Sequence, residues 1–231
     1  MNAPGTILDL ARARSLVEPG ATSPVYTLQL APGDLALIDA ADGEQSAQFG
    51  DLCCGLVPLA EGSARFLGRD WARMPEDFAA ALRGRIGRVF TGGGWVEFLD
   101  VAANILLPQL HHTRHDAREL RDRAAELASY FGLPGLPLGR PADLSPRDLA
   151  RAACVRAFLG DPVLLLLEHP VSGQFSDLKA AILDAIARAR AHGAAAIWLS
   201  RSELVLRDHA FPASQRWRLD ATGLVPIGRA Q

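Results

Sequence analysis

Two uninterrupted apolar runs near the C-terminus constrain the fold of this chain more than any other feature. The runs are Val163–Leu167 and Ala194–Leu199, and the segment Asp177–His192 between them has the pattern of a helix. Strands without polar alternation are typical of parallel sheets that helices cover on both faces. A hydrophobic content of 49% with only 6% aromatic residues suits Ala- and Leu-rich helices packed on such a sheet. The sequence therefore predicts an α/β fold with a parallel sheet.

The rest of the chain divides into a strand-rich start, a helical middle and a C-terminal hairpin. The predicted elements are strands Thr6–Leu10, Val25–Leu30, Leu35–Ile38 and Gly62–Leu67, helices Ser46–Leu56, Asp116–Phe131 and Arg147–Leu159, and hairpin strands Arg216–Leu219 and Leu224–Ile227. We predict one domain over residues 1–231, in which 1–93 and 158–231 form an α/β core lobe and 94–157 form an inserted helical lobe.

Composition excludes several classes of partner. The 24 basic and 26 acidic residues form no long run of one sign, which disfavours binding to nucleic acid or anionic lipid. No apolar stretch approaches the roughly 20 residues that span a bilayer, so we expect membrane contact only through a partner. The start of the chain has no signal-peptide pattern, which predicts a cytoplasmic protein, peripheral on the inner face of the membrane if a membrane partner binds it.

Neither cysteines nor histidines have the spacing of a metal site. Cys53, Cys54 and Cys154 are predicted to be small buried hydrophobic residues. His111, His112 and His115 are predicted to lie in a solvated turn between helices without a nearby cysteine, so we predict no metal site.

Short framework motifs follow one another in a specific order along the chain. They are Pro32-Gly33-Asp34 before an apolar strand, Cys54-Gly55-Leu56, Val101-Ala102-Ala103-Asn104-Ile105, Leu144-Ser145 with Arg151 and Arg156, Gly160-Asp161-Pro162, Pro170 and Ser172-Gly173. Together they resemble the ATP-binding-cassette (ABC) transporter ATPase family, over nearly the whole chain from Leu35 onward. The resemblance implies a P-loop NTPase-like core with N-terminal antiparallel strands and an inserted helical lobe. It also implies head-to-tail pairing of two ATPase subunits on a membrane permease.

The segment at the position of the family's phosphate loop departs from the pattern that binds ATP. A working loop reads G-x-x-x-x-G-K-[ST], in which the lysine reaches the phosphates and the hydroxyl holds Mg²⁺. Here the loop positions are occupied by Ala40, Asp42, Gly43, Gln45, Ser46, Ala47 and Gln48. Ser46 stands at the lysine and Ala47 at the hydroxyl residue, while Asp42 and Glu44 add negative charge. The chain's single lysine, Lys179, is far away in the sequence, so we expect a structural turn and no bound cofactor, although ATP with Mg²⁺ would be the ligand if binding persists.

The other positions that the family uses for catalysis are altered as well. Glu168 and His169 stand where the resemblance places the metal-supporting aspartate and the water-polarising glutamate, and His169 is either a proton acceptor or a structural residue. The signature-like segment is Ser145, Pro146, Arg147 and Asp148, in which Ser145 is either a phosphate contact or a helix N-cap. Thr91 stands at the glutamine of the loop that senses the transporter, Arg201 at the switch histidine and Phe175 at a further aspartate.

These departures lead to one leading hypothesis and two alternatives. The leading hypothesis is a non-hydrolysing structural or regulatory subunit that docks on a permease or pairs with an active ATPase. The first alternative is an active ATPase that uses Arg147, Glu168 and Arg201. The second is a soluble interaction module without a transporter. The glycines before Trp95, with Phe98 beyond them, indicate either a docking loop for the permease or a core-facing aromatic residue beside a loop.

Overall fold

The computed structural model describes residues 5–16, 23–171 and 176–227. Ten strands form one sheet. In chain order they are β1 (Leu8–Ser15), β2 (Val25–Leu30), β3 (Leu35–Ala40), β4 (Leu59–Phe66), β5 (Arg69–Asp70), β6 (Ile86–Val89), β7 (Leu164–Glu168), β8 (Ala195–Ser200), β9 (Gln215–Asp220) and β10 (Gly223–Pro226). The α-helices are α1 (Gly43–Cys53), α2 (Glu76–Arg83), α3 (Val101–His112), α4 (Ala117–Tyr130), α5 (Pro146–Phe158), α6 (Ser176–Ala191) and α7 (Glu203–Leu206).

The sheet combines a parallel half with an antiparallel half. Its strand order is β5-β4-β1-β2-β10-β9-β3-β8-β7-β6. Strands β3, β8, β7 and β6 are mutually parallel, whereas β1, β2 and β4 pair antiparallel. The buried runs that predicted a parallel sheet lie in β7 and β8, where every residue is buried. The prediction of a parallel core with antiparallel N-terminal strands is therefore confirmed.

Helices cover both faces of the parallel half and form two hydrophobic clusters. One cluster joins the sheet to α3, α4, α5 and α6, and the other joins it to α1 and the antiparallel strands. The backbone of β6 approaches α5 very closely, because a Cβ on Gly87 would overlap the carbonyl oxygen of Ala157. The three cysteines are free and buried, as predicted. No helix in the described part of the chain has the length and apolar character that a bilayer span requires.

The start of α1 differs from the sequence prediction. We predicted a turn followed by a helix from Ser46, but the helix begins at Gly43 because the Asp42 carboxylate accepts a hydrogen bond from the Glu44 backbone N–H at 2.8 Å. An aspartate at this position satisfies backbone donors of the first helical turn, which have no partner within the helix. The loop residues from Gly43 to Gln48 are thus helical, so the prediction of a structural turn is wrong for residues 43–45, whereas the predicted helix over Ser46, Ala47 and Gln48 is confirmed.

Two further predictions need correction. His111 and His112 do not lie in a turn but in the last turn of α3, which continues past Pro108 in its interior. Strand β1 extends to Ser15, beyond the predicted end at Leu10, through a bulge at which Arg12 has φ 49°. A bulge adds an unpaired residue and interrupts the alternation on which the prediction relied.

Candidate functional site

Four of the predicted site positions follow the carboxyl ends of neighbouring parallel strands. Thr91 follows β6, Glu168 ends β7, Arg201 follows β8, and the loop from Ala40 follows β3. In open α/β sheets this edge is where ligands bind. A Cβ on Gly43 would stand 3.1 Å from Thr91 Cγ2 and 3.4 Å from Arg201 Nη2. The fold therefore brings the loop, Thr91 and Arg201 into one cluster at this edge.

Ser46 is held inside this cluster and is 0% exposed. Its Oγ donates a hydrogen bond to the Asp42 carbonyl oxygen at 2.7 Å and lies 3.0 Å from His169 Nε2. Because the hydroxyl has a single proton, His169 Nε2 must donate to Ser46 Oγ. A serine beside a histidine can also be a nucleophile with its general base, but in that case the serine hydroxyl donates to the imidazole. Here the imidazole donates to the serine. The pair therefore acts as a structural link between α1 and the end of β7.

His169 is kept neutral by its surroundings. Desolvation by burial and the positive charge of Arg201 lower the pKa of His169 to about 4. Its Nδ1 atom is buried and has no hydrogen-bond partner among the described residues. The residue also has φ 49°, a left-handed conformation in which histidine is enriched among residues other than glycine. In this arrangement Nε2 is engaged by Ser46 Oγ and Nδ1 is enclosed by the protein.

Glu168 is engaged through both carboxylate oxygens. Its side chain is 0% exposed, Oε1 accepts a 2.5 Å hydrogen bond from Arg88 Nε, and Oε2 accepts a 2.8 Å hydrogen bond from the Thr91 backbone N–H. The remaining nitrogens of Arg88 donate to Asp51 Oδ1 at 2.6 Å and to the Ala47 carbonyl oxygen at 3.0 Å. The carboxylate that would support a metal is thus paired with a guanidinium of the same chain.

Sequence reasoning did not single out Arg88 or Asp51. The available signal was a charged residue at the third position of a four-residue strand whose neighbours are apolar. A buried arginine in such a strand needs an acidic partner, and the glutamate that ends the neighbouring strand is the nearest candidate.

The signature-like segment lies at the start of α5, away from the Ser46–His169 pair in sequence and in a separate element. Ser145 is the N-cap, since its Oγ accepts a hydrogen bond from the Asp148 backbone N–H at 3.1 Å and donates to Asp148 Oδ2 at 2.8 Å. Pro146 is the first residue of the helix, a position at which a backbone N–H would have no partner within the helix, so the missing N–H of proline costs nothing.

Arg147 and Arg151, both in α5, donate to Asp177 Oδ2 at 2.8 Å. Hydrogen bonds from these two arginines lower the pKa of the Asp177 carboxyl to about 2. Phe175 and Ser172-Gly173 lie outside the described residues.

Aromatic and cationic side chains stack beside the site. The Arg156 guanidinium lies 5.2 Å from the Phe90 ring centroid and 4.4 Å from that of Trp95, and Arg88 lies 4.5 Å from the Phe90 centroid. Arg156 also donates to the carbonyl oxygens of Gly93 and Gly94. Desolvation lowers the pKa of Arg156 to about 10, which still leaves the side chain charged at neutral pH. Trp95 packs against the core, as one of the two interpretations predicted.

A groove of about 530 Å³ opens above this stack. Apolar side chains from the segment that follows α1, from β6 and from α3 form much of its wall, and none of the residues that line it is acidic. Its lining includes Leu56, Ile86, Phe90, Leu107, Arg88 and Arg156. Phe98 is 78% exposed and does not line this groove.

Comparison with known proteins gives consistent results. No protein-family model matches the chain. The lipoprotein-releasing system ATP-binding protein LolD of Maricaulis maris is 30% identical over 173 residues, which cover 74% of this chain and 75% of that protein. The intermembrane phospholipid transport system ATP-binding protein MlaF of Haemophilus influenzae is 27% identical over 161 residues. The matched region spans 61% of MlaF and 22% of the macrolide export ATP-binding/permease protein MacB of Sodalis glossinidius.

The fold has a solved counterpart. The dimeric structure of MJ0796, a bacterial ABC transporter cassette, superposes with a TM-score of 0.81 over 94% of this chain and 96% of that one, at 19% identity. At this identity the structural likeness supports the fold, while the sequence match to LolD supports kinship. The chain belongs to the family of ABC transporter ATP-binding proteins.

Proposed function

We propose that this chain is a non-hydrolysing ABC cassette subunit that docks on a membrane permease or pairs with an active ATPase subunit. The observation that carries the proposal is the state of Glu168, whose two carboxylate oxygens are both occupied by donors of the same chain. A catalytic carboxylate must be free to support a metal ion or to accept a proton.

The loop residues do not fit ATP with Mg²⁺. No ammonium group or metal-binding hydroxyl stands at the loop, because Ser46 donates to the Asp42 carbonyl oxygen and Ala47 has no hydroxyl. Charge-assisted hydrogen bonds from a lysine are among the strongest contacts that hold phosphate. Here the loop carries the carboxylates of Asp42 and Glu44 instead, and these would repel the phosphates of ATP. Arg147, which would be the substitute cation, is paired with Asp177.

The partners follow from the relatives and from the groove. MacB is named as an ATP-binding/permease protein, and LolD and MlaF are named as ATP-binding proteins of transport systems. We therefore assign the permease contact of this chain to the groove formed by β6, α3 and the segment that follows α1, where Leu107 is 42% exposed. On this proposal the protein lies in the cytoplasm, at the membrane surface through its partner. Division into a core lobe (1–93 and 158–231) and a helical lobe (94–157) is part of the same proposal.

Calorimetric titration of the purified protein with Mg-ATP tests the proposal. We expect no binding heat up to about millimolar ATP, since loss of the lysine and hydroxyl contacts removes several charge-assisted hydrogen bonds. A cassette with an intact loop in the same buffer serves as the positive control. Micromolar binding would overturn the proposal and favour an active ATPase, with Arg147, Glu168 and Arg201 as the next residues to mutate. Copurification of a membrane protein separates a transporter subunit from a soluble interaction module.

A further inference from the structure

Arg88 connects three parts of the fold through one guanidinium. Its side chain is 5% exposed and extends from β6 beneath α1. Nε donates to Glu168 at the end of β7, while Nη1 and Nη2 donate to Asp51 and to the Ala47 carbonyl oxygen, both in α1. Every nitrogen that can donate therefore has a partner, and two of the three partners belong to the helix that follows the phosphate-loop position.

The contact with α1 is close enough to require a glycine. A Cβ on Gly50 would stand 2.5 Å from Arg88 Nη2 and 2.6 Å from Glu168 Oε1. The helix thus rests directly on the ion pair, without an intervening layer of side chains. A packed apolar core would hold the helix by contacts of no fixed direction, whereas the planar guanidinium fixes the helix through hydrogen bonds of defined geometry.

The charges around Arg88 make it the counter-ion of this cluster. Glu168 is fully buried and Asp51 is 39% exposed, so Arg88 balances one buried carboxylate completely and shares a second with solvent. A buried pair of this kind contributes little net stability compared with apolar residues, but it determines which groups meet. A divalent cation could reach Glu168 only by displacing the guanidinium.

We propose that Arg88 is a built-in cation that holds α1 and its preceding loop against β7, in the place of a bound cationic ligand. In working loops a lysine and a metal ion join the loop to phosphate, so ligand binding orders the site. Here the chain supplies the cation itself, and the position of the loop is independent of ligand. The inference goes beyond the proposed function, because it concerns the protein without any nucleotide.

Hydrogen exchange of the nucleotide-free, EDTA-treated protein tests the inference. We expect amides of α1 in Arg88→Met to exchange at least about tenfold faster than in the unmodified protein, because the lost bonds are charge-assisted. Amides of β8 should exchange at unchanged rates. The matched control is Arg85→Met, which removes an exposed arginine next to the same strand and should leave α1 unchanged. Unaltered exchange in α1, or an equal increase in α1 and β8, overturns the inference.

A second variant covers the case in which Arg88→Met does not fold. Asp51→Asn keeps the Arg88–Glu168 pair and weakens only the bond to α1, so we expect severalfold faster exchange confined to α1. Unchanged α1 exchange in this variant contradicts the inference. Mn²⁺ binding followed by water-proton relaxation gives an independent readout, in which the unmodified protein and Glu168→Gln should be indistinguishable. Mn²⁺ binding that Glu168→Gln abolishes also overturns it. The hydrogen-exchange experiments contain neither nucleotide nor metal, so an unexpected result there leaves the proposed function standing, whereas Mn²⁺ binding at Glu168 would count against both.

Discussion

Lowering the pH should reduce the free energy of unfolding, because His169 is neutral in the folded protein. The pKa of a histidine in an unfolded chain is about 6.5. Desolvation and the charge of Arg201 lower the pKa of His169 in the folded protein to about 4. Between pH 6.5 and pH 4, His169 is therefore protonated in the unfolded state but not in the folded state. The stabilising contribution is fully present above pH 6.5 and is lost as the pH falls toward 4.

The magnitude follows from the size of the shift. Linkage across these two pKa values removes about 2 kcal/mol between pH 8 and pH 5. The ring is only partly buried, so solvent screening reduces the loss to about 1–2 kcal/mol. His112, whose pKa is lowered by desolvation and by its charged neighbours, changes stability in the same direction. The contribution of His169 must therefore be read from a difference between two proteins.

The assay is urea unfolding of the unmodified protein and of His169→Gln at several pH values from 8 to 5. We expect the free energies of unfolding of the two proteins to converge by about 1–2 kcal/mol as the pH falls. Only the unmodified protein has a histidine at this position, so only it loses this contribution to stability on acidification. His209→Gln, which removes an exposed histidine, is the matched control and should keep the pH dependence of the unmodified protein. Parallel curves for the unmodified protein and His169→Gln would refute the reasoning.

Three further substitutions test the packing and the proposed partner contact. Gly50→Ala should lower the free energy of unfolding by about 1–3 kcal/mol despite the better helix propensity of alanine, because the new methyl group meets the Arg88 guanidinium. Chemical denaturation measures this change, and a stabilised variant would contradict the close contact. Ser145→Ala should cost about 1 kcal/mol in the same assay through loss of the N-cap, and an unchanged midpoint would show that the cap contributes nothing. Leu107→Glu should abolish copurification of the permease, whereas Leu138→Glu, at a site 74% exposed outside the groove, should not; equal effects would argue against the groove.

The elements that the sequence predicted well are those whose length and flanking residues agree with their hydrophobic pattern. The apolar runs in β7 and β8 are short and end at Pro, Gly or polar residues, which favours buried strands over a helix. The two strands of the C-terminal hairpin are joined by a turn around Asp220–Gly223. The end of α3 was predicted as a solvated turn because its histidines lie in a polar stretch between helices, yet this helix continues to His112 past Pro108, which removes a backbone donor. Tertiary packing outweighs the local cost there.

The candidate site was predicted in its positions but not in its bonding. The family resemblance located Ser46, Glu168 and His169, and the structure places all three at one edge of the sheet. The partner of Glu168 is Arg88, which is 80 residues away in the sequence and one strand away in the sheet. Such a pairing depends on the order and register of β6 and β7, which local patterning does not determine.

The close approach of Gly87 to Ala157 has a mechanical consequence for the inserted helices. With no side chain between strand and helix at this point, the backbone of α5 rests against the backbone of β6. Any larger residue at position 87 would push α5 away from the sheet, so this glycine sets the distance between the inserted helices and the strands.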